Sequence, residues 1–297
     1  MGKLGWTLCL VVANSAVPIY LAQFVIAVRR IWLFDACAMG RLRALRDEVM
    51  KAIMLAAGLG SRMGQDGGFP PKVLLRFGGI SLLERHIRIL KSLNISELVI
   101  GVGYNEDMIH EELERIGAGS FVRTITNPDF ALGAITTLWS VREECKGGGP
   151  IVMMDGDVLY DQSLMARLVN GTEEDCLLFD SGIEPGEEPV KICLSGDTIV
   201  DFGKMPEIPH DRFGEWVGFT RFSAEQATRI PQYVAPYIKR GETSQIYEVA
   251  IRDQLIDADP SVFKIADITG QPWIEIDFPE DFENAEREIL PRLEPLP

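Results

Sequence analysis

Short apolar runs alternate with amphipathic segments from residue 50 onward, and this alternation constrains the fold more than any other feature. Four runs suited to buried strands occupy residues 52–57, 97–102, 151–154 and 176–179. The segments with helical periodicity occupy residues 81–93, 106–116, 134–144 and 162–169. Repeated strand–helix–strand units predict a mainly parallel sheet with helices on both faces, which is a three-layer α/β/α fold.

The pattern changes beyond about residue 185. Residues 190–194 and 198–202 flank Ser195-Gly196-Asp197 and predict a short β-hairpin, so the sheet is expected to be mixed. Further helices are predicted at residues 224–238, 244–256 and 279–290. The Pro- and Leu-rich residues 291–297 predict an unstructured end.

An uncharged stretch of 23 residues, 6–28, precedes this pattern and is long enough to cross a bilayer as a helix. Arginines follow it, so the positive-inside bias would put the rest of the chain in the cytoplasm, anchored to the inner face of the membrane. Two alternatives stay open. The first, which we place ahead of the membrane anchor, is that Met50 is the true start of the protein. The second, which we place after it, is that residues 1–49 form a soluble amphipathic extension. We therefore predict an N-terminal segment, 1–49, and a cytoplasmic domain, 50–297.

Charge and cysteine content exclude several classes of protein. The chain has 29 lysines and arginines against 44 aspartates and glutamates, which gives a net charge of −15. This acidity speaks against an extended basic surface that binds nucleic acid. Five cysteines, none of them in a C-x-x-C pair, indicate neither a disulfide framework nor a zinc site.

A glycine-rich loop follows the first predicted strand. Residues 55–64 read LAAGLGSRMG, and PKVL follows at residues 71–74. Such a loop exposes backbone N–H groups to an anionic ligand, and Arg62 and Lys72 add positive charge. A dinucleotide fingerprint fails because Met63 stands where the third glycine belongs. A P-loop fails because Pro71 precedes Lys72. The remaining alternative is a purely structural glycine-rich turn, in which the nearby cations have no role in binding.

The pattern LAAGxGxRM…PKxL resembles that of the MobA-like nucleotidyltransferases, which act on sugar phosphates and alcohol phosphates. The resemblance implies a nucleoside triphosphate held over this loop, with its phosphates near Arg62 and Lys72. Both cations are expected to be catalytic, since they would stabilise charge on the α-phosphoryl group. The nucleotide-binding residues that it implies are Leu55, Ala56, Ala57, Gly58, Gly60 and Thr137.

Two groups of carboxylates follow predicted strands. The run 151–154 ends in Asp155-Gly156-Asp157, at the edge of the sheet where ligands collect. The resemblance implies Asp157 as a magnesium ligand, whereas Asp155 is expected to be a turn residue. In the later segment Glu275 and Asp277 share one face of a strand. Asp157 and Asp277 would suffice for Mg²⁺, with Glu275 nearby.

Three features narrow the resemblance to one branch of this family. They are the signature W-x-E-I-D-x-P-E-D at residues 273–281, Lys191, and Gly-Glu-Trp at residues 214–216. The resemblance extends over residues 50–290. The sequence is similar to the branch of phosphocholine, inositol-phosphate and aminoethylphosphonate cytidylyltransferases. Lys191 would be catalytic by neutralising the acceptor's phosphate. The implied acceptor-binding residues are Glu215, Trp216, Tyr247, Glu248, Trp273 and Glu275, with Trp139 nearby, and their aromatic faces would suit a quaternary ammonium. His86, His110 and His210 are expected at the surface or on helices.

These inferences predict a Mg²⁺-dependent enzyme that transfers CMP from CTP to a small phosphorylated or phosphonylated alcohol, with phosphocholine as first choice. Pyrophosphate is the second product. One alternative is a sugar-1-phosphate nucleotidyltransferase that uses UTP, GTP or dTTP. The other is a non-catalytic nucleotide-binding module of the same fold.

Overall fold

The computed structural model describes residues 49–60, 69–182 and 188–297. The predicted apolar anchor at residues 6–28 and Arg62 lie outside these ranges, so the division at residue 50 and the role of Arg62 remain predictions. Among the described residues, no helix is both long enough and apolar enough to cross a membrane.

Strands and helices alternate through the first two thirds of the described chain, as the pattern predicts. The strands are β1 (Lys51–Leu55), β2 (Arg76–Phe77), β3 (Ile80–Ser81), β4 (Leu98–Val102), β5 (Val122–Thr126), β6 (Ile151–Asp155), β7 (Val158–Tyr160), β8 (Asp175–Asp180), β9 (Lys191–Ser195), β10 (Thr198–Gly203), β11 (Arg212–Phe222), β12 (Phe263–Asp267) and β13 (Trp273–Glu275). The helices are α1 (Leu82–Ser92), α2 (Glu106–Arg115), α3 (Ala134–Ser140), α4 (Gln162–Asn170), α5 (Ala224–Arg240), α6 (Glu248–Asp257) and α7 (Pro279–Asn284).

The central sheet has nine strands and mixed polarity. Its main path runs β10-β9-β11-β6-β1-β4-β5, and β8 joins it between β11 and β12. Strands β6, β1, β4 and β5 form a parallel block, and β12 is parallel to β8. The long strand β11 is antiparallel to β6, β8 and β9. The predicted α/β fold around a mixed sheet is therefore confirmed.

Side chains alternate between the two faces of each central strand, and each face carries its own helices. In β1, Ala52 and Met54 belong to one buried cluster, while Ile53 belongs to the other. Helices α1, α2 and α4 contribute to the first cluster, and α3, α5 and α6 contribute to the second. Because successive side chains of a strand point to opposite faces of the sheet, both faces are covered by helices, and the fold has three layers.

The later part of the chain confirms one prediction and corrects another. Strands β9 and β10 form the predicted hairpin, with Gly196 at the turn in the left-handed region (φ 59°). The predicted unstructured end is wrong, because Leu293 packs against a third apolar cluster. The backbone N–H of Glu294 also donates to Asp161 Oδ2 at 2.8 Å.

Candidate active site

The carboxyl ends of β1 and β6 open into a cavity of about 560 Å³, here called the larger cavity. Gly60, in the loop after β1, has a left-handed backbone (φ 60°) that favours glycine. The cavity brings together all six predicted nucleotide-binding residues, which are Leu55, Ala56, Ala57, Gly58, Gly60 and Thr137. Lys72, Asp157 and Asp277 line the same space, so the glycine loop and the carboxylates face one cavity.

Three carboxylates converge at the edge of the larger cavity. One oxygen each from Asp157, Glu275 and Asp277 lie within 4.8 Å of one another. The short strands β7 and β13 bring them together, with Glu275 opposite Val158, and the N–H of Ile276 donates to the carbonyl of Asp157 at 3.0 Å. Oxygen ligands of this kind fit a hard divalent cation such as Mg²⁺.

Lys72 joins two of these carboxylates. Its Nζ lies 3.0 Å from Asp157 Oδ2 and 2.6 Å from Asp277 Oδ1. Burial alone would lower the pKa of Lys72, but the two carboxylates raise it above its ordinary value. The ammonium is therefore charged at every physiological pH. We predicted from the sequence that Lys72 lies in the site, but we did not predict its ion pairs with both aspartates.

Two further acids, Asp155 and Glu248, are half-buried at the larger cavity. Asp155 is the last residue of β6, and its Oδ1 accepts a hydrogen bond from the Tyr247 hydroxyl at 2.7 Å. It lines the larger cavity, so the expectation of a turn residue is wrong. Glu248 Oε2 is buried without a hydrogen-bond partner in the described part of the chain, and burial raises the pKa of Glu248 to about 7. Tyr247 and Glu248, which we predicted to bind the acceptor, both line the larger cavity.

A second cavity of about 360 Å³, the smaller cavity, adjoins the first, because Glu275 and Asp277 line both. Trp273 and Glu215 line it, as does Asp180, whose Oδ2 accepts from Trp273 Nε1 at 2.8 Å. Burial, then the charge of Asp180, raises the pKa of Glu215 to about 7. We did not predict Asp180, although it ends β8 just as Asp155 ends β6.

Two predicted aromatic residues do not join this site. Trp216 is 4% exposed and belongs to the second core cluster. Its Nε1 donates to the carbonyl of Phe219 at 3.2 Å and to Thr220 Oγ1 at 3.1 Å. Alternation along β11 explains this, since Glu215 faces the smaller cavity and its neighbour faces the opposite layer. The ring of Trp139 is covered by the Arg142 guanidinium, 4.1 Å from its centroid. The predicted group of aromatics around the acceptor is therefore not assembled.

Lys191 lies opposite Glu215 in the β9–β11 ladder. Its Nζ donates to the carbonyls of Lys204 at 2.8 Å and Pro189 at 3.3 Å. The ammonium is thus held beside the smaller cavity by backbone oxygens. Its predicted action on the acceptor's phosphate remains a prediction.

Two buried polar residues, Asn127 and His86, hold parts of the site in place. Asn127 donates from Nδ2 to Thr136 Oγ1 at 2.9 Å and to Thr137 Oγ1 at 3.0 Å, which fixes the hydroxyl of a cavity residue. His86 lies on α1, as one of our two expectations allows, but it is fully buried. The expectation of a surface position is therefore wrong for His86.

A model of the MobA-like NTP transferase domain matches residues 52–200, which include β1, β6, Lys72 and Asp157. This match covers half of the chain.

Two relatives are similar over most of the described domain. The CMP-5'-(3-aminopropyl)phosphonate synthase of Streptomyces rubellomurinus is 24% identical over 82% of this chain, but this chain spans only 39% of its length. The CTP:phosphoglutamine cytidylyltransferase of Campylobacter jejuni is 22% identical over 79% of this chain and 98% of its own length.

Among solved structures, the CTP:phosphocholine cytidylyltransferase from Streptococcus pneumoniae is similar with a TM-score of 0.64 and 22% identity. The similarity covers 80% of this chain and 97% of that one, and at this identity it shows a shared fold. With the glycine loop, Lys72 and the carboxylates in one cavity, this chain belongs to the MobA-like NTP transferase family and is a nucleotidyltransferase.

Proposed function

We propose that this enzyme transfers CMP from CTP to a small phosphorylated or phosphonylated acceptor that carries a cationic nitrogen, and releases pyrophosphate. The observation that carries the proposal is the pair of adjoining cavities, which share Glu275 and Asp277. One cavity holds the glycine loop and the other is lined by carboxylates. A nucleotide and a cationic acceptor would therefore meet at the shared wall.

The larger cavity supports a pyrimidine nucleotide. Thr137 Oγ1 accepts a hydrogen bond from Asn127, which leaves the hydroxyl proton to be donated to a base carbonyl. Relatives whose names include CTP or CMP support cytosine as the base. Backbone N–H groups around Gly58 and Gly60 would meet the phosphates.

The reaction needs no protein nucleophile. An oxygen of the acceptor's phosphate or phosphonate attacks the α-phosphorus of CTP, and the bond from that phosphorus to the bridging oxygen of the β-phosphate breaks. Pyrophosphate leaves with the electron pair. Asp157 and Asp277, with Glu275 adjacent, would hold Mg²⁺, which supplies positive charge against the phosphoryl oxygens. Lys72, and in our prediction Arg62, would stabilise the same developing charge, while Lys191 would neutralise the acceptor's phosphate.

The smaller cavity supports a nitrogen cation on the acceptor. Glu215 and Asp180 supply carboxylate oxygens, and Trp273 supplies an aromatic face. Carboxylates accept N–H hydrogen bonds, whereas a trimethylammonium has no N–H to donate and gains most from several aromatic faces. Because Trp139 and Trp216 lie elsewhere, this balance favours a primary ammonium over the quaternary group of phosphocholine.

The test is a matrix of the four ribonucleoside triphosphates and dTTP against five acceptors, with Mg²⁺ present and pyrophosphate release as the readout. The acceptors are aminoethylphosphonate, phosphoethanolamine, phosphocholine, inositol phosphate and glucose 1-phosphate. We expect release with CTP, fastest with the two primary amines. Asp277→Asn should slow release by about 10²-fold or more, and Glu286→Gln, on an exposed face, should leave it unchanged.

Three other results of the matrix contradict the proposal or part of it. Turnover only with UTP, GTP or dTTP and glucose 1-phosphate would establish a sugar-1-phosphate nucleotidyltransferase. Folded protein that binds CTP but releases pyrophosphate in no well would contradict the assignment of these acceptors. Faster turnover of phosphocholine than of both primary amines would overturn the preference for a primary ammonium.

A further inference from the structure

A buried histidine holds the turn that carries Asp157. His86 is 0% exposed, and its Nε2 lies 3.2 Å from the carbonyl oxygen of Gly156. Its Nδ1 lies 3.3 Å from the hydroxyl of Tyr160, and the two rings stack with centroids 5.4 Å apart. The turn is thereby tied to helix α1.

The partners of the ring fix which nitrogen carries the proton. A carbonyl oxygen only accepts hydrogen bonds, so Nε2 must be the donor to Gly156, and Nδ1 then accepts from the Tyr160 hydroxyl. Burial lowers the pKa of His86 to about 4, so the ring is neutral at physiological pH. One tautomer therefore serves both bonds.

The turn has little room to move in other directions. A Cβ atom at Gly156 would lie 3.3 Å from Met54 Sδ and from a methyl carbon of Val73. On the opposite side the N–H of Ile276 donates to the carbonyl of Asp157 at 3.0 Å. The turn is therefore held at the Gly156 carbonyl by α1 and at the Asp157 carbonyl by Ile276, which follows β13 and precedes Asp277.

We propose that His86 is a positioning residue, which sets the Asp157 carboxylate against Asp277 through its hydrogen bond to the Gly156 carbonyl. This inference rests on the proposed cation site. In metal sites, side chains that orient the ligands commonly change metal affinity by about 10- to 100-fold when they are replaced. Here the contact passes through one backbone carbonyl, so the effect is expected at the lower end of that range.

Three variants separate positioning from simple stability. His86→Gln retains an amide N–H near the position of Nε2, whereas the shorter His86→Asn can reach only the position of Nδ1. Tyr160→Phe removes the other buried hydrogen bond but leaves the donor to Gly156 in place. Thermal unfolding of each variant measures the structural cost.

The experiment measures binding of Mn²⁺ alone, without nucleotide, from the electron paramagnetic resonance signal of the free ion. We expect the Kd to rise about tenfold in His86→Asn, and to stay within about threefold of wild type in His86→Gln and Tyr160→Phe. Equal Kd values for the Asn and Gln variants, or a Tyr160→Phe defect as large as that of His86→Asn, would overturn the role. A folded wild type that binds no Mn²⁺ would overturn the cation site itself, while CMP transfer is tested separately by pyrophosphate release.

Discussion

The Nζ of Lys72 lies 2.6 Å from Oδ1 of Asp277, although the two residues are 205 positions apart in the chain. The contact joins the segment that follows the glycine loop to the segment that follows β13. Asp157, from the end of β6, completes the group at 3.0 Å from the same ammonium. Three separated segments therefore have to fold correctly before the site exists.

The carboxylates at the edge of the larger cavity should be needed for turnover rather than for folding. We expect Asp157→Asn and Asp277→Asn each to lower kcat by about 10²-fold or more, because each removes charge stabilisation in the transition state. Thermal unfolding should change little. Near-normal turnover of either variant at saturating Mg²⁺ would exclude that residue from the cation site.

Lys72 and Lys191 should show different kinetic defects. Lys72→Met should mainly lower kcat/KM for CTP, and Lys191→Met, which keeps the buried stem, should mainly lower kcat/KM for the acceptor. Lys72→Met should also lose stability, since it leaves Asp157 and Asp277 without their shared cation, and Mg²⁺ should restore part of it. Steady-state kinetics with each substrate varied would measure this, and identical defects in both variants would remove the distinction.

Glu215 should make both stability and acceptor binding depend on pH. Its pKa is raised to about 7, so between about 4.5 and 7 the folded state binds more protons than the unfolded state. Stability should therefore fall as the pH rises through this window, and Glu215→Gln should remove that loss, which is worth about 3 kcal/mol at pH 8.

The same titration should act on the acceptor in the opposite direction. The KM for a cationic acceptor should fall as the pH rises through about 7 and the carboxylate forms. Urea unfolding and initial rates at pH 5, 6, 7 and 8 measure the two effects. A Glu215→Gln variant with the wild-type pH dependence of both would show that another group titrates.

The two tryptophans of the predicted acceptor set should separate into a core residue and a site residue. Trp216→Phe loses buried hydrogen bonds and should lower the free energy of unfolding by about 1–3 kcal/mol, with the KM for the acceptor unchanged. Trp273→Phe loses its bond to Asp180 and should raise that KM about tenfold, as expected for a hydrogen bond to a carboxylate. A raised KM in Trp216→Phe alone would reverse this assignment.

Local pattern was sufficient to predict the layers and much of the site. The alternation in β1 and β6 gave the faces of the sheet, and strand ends followed by Asp157 and by Asp277 gave the carboxylates. Helix α6 begins at Glu248, four residues later than we predicted. Residues 242–247 instead form turns, and the carbonyl of Gln245 accepts from the N–H of Ile135 at 3.3 Å.

The orientation of some site residues depends on contacts between distant segments, which the sequence alone does not predict. Trp216 and Glu215 are neighbours, and only the pairing of β11 determines that the acid rather than the indole faces the smaller cavity. Likewise a lone histidine on an amphipathic helix gives no sign that it reaches the carbonyl of Gly156. Such contacts join segments 70 residues apart, which local periodicity does not relate.

The most direct test of CMP transfer is the phosphorus NMR spectrum of CTP, aminoethylphosphonate and Mg²⁺ incubated with the wild-type enzyme. We predict equal amounts of pyrophosphate and of a product in which the phosphonate is joined to CMP through a new P–O–P linkage. Asp277→Asn should give neither signal. Unchanged CTP after incubation of the folded wild type with each acceptor of the matrix would contradict the account. So would CTP that is split into CMP and pyrophosphate with no product that joins CMP to the phosphonate.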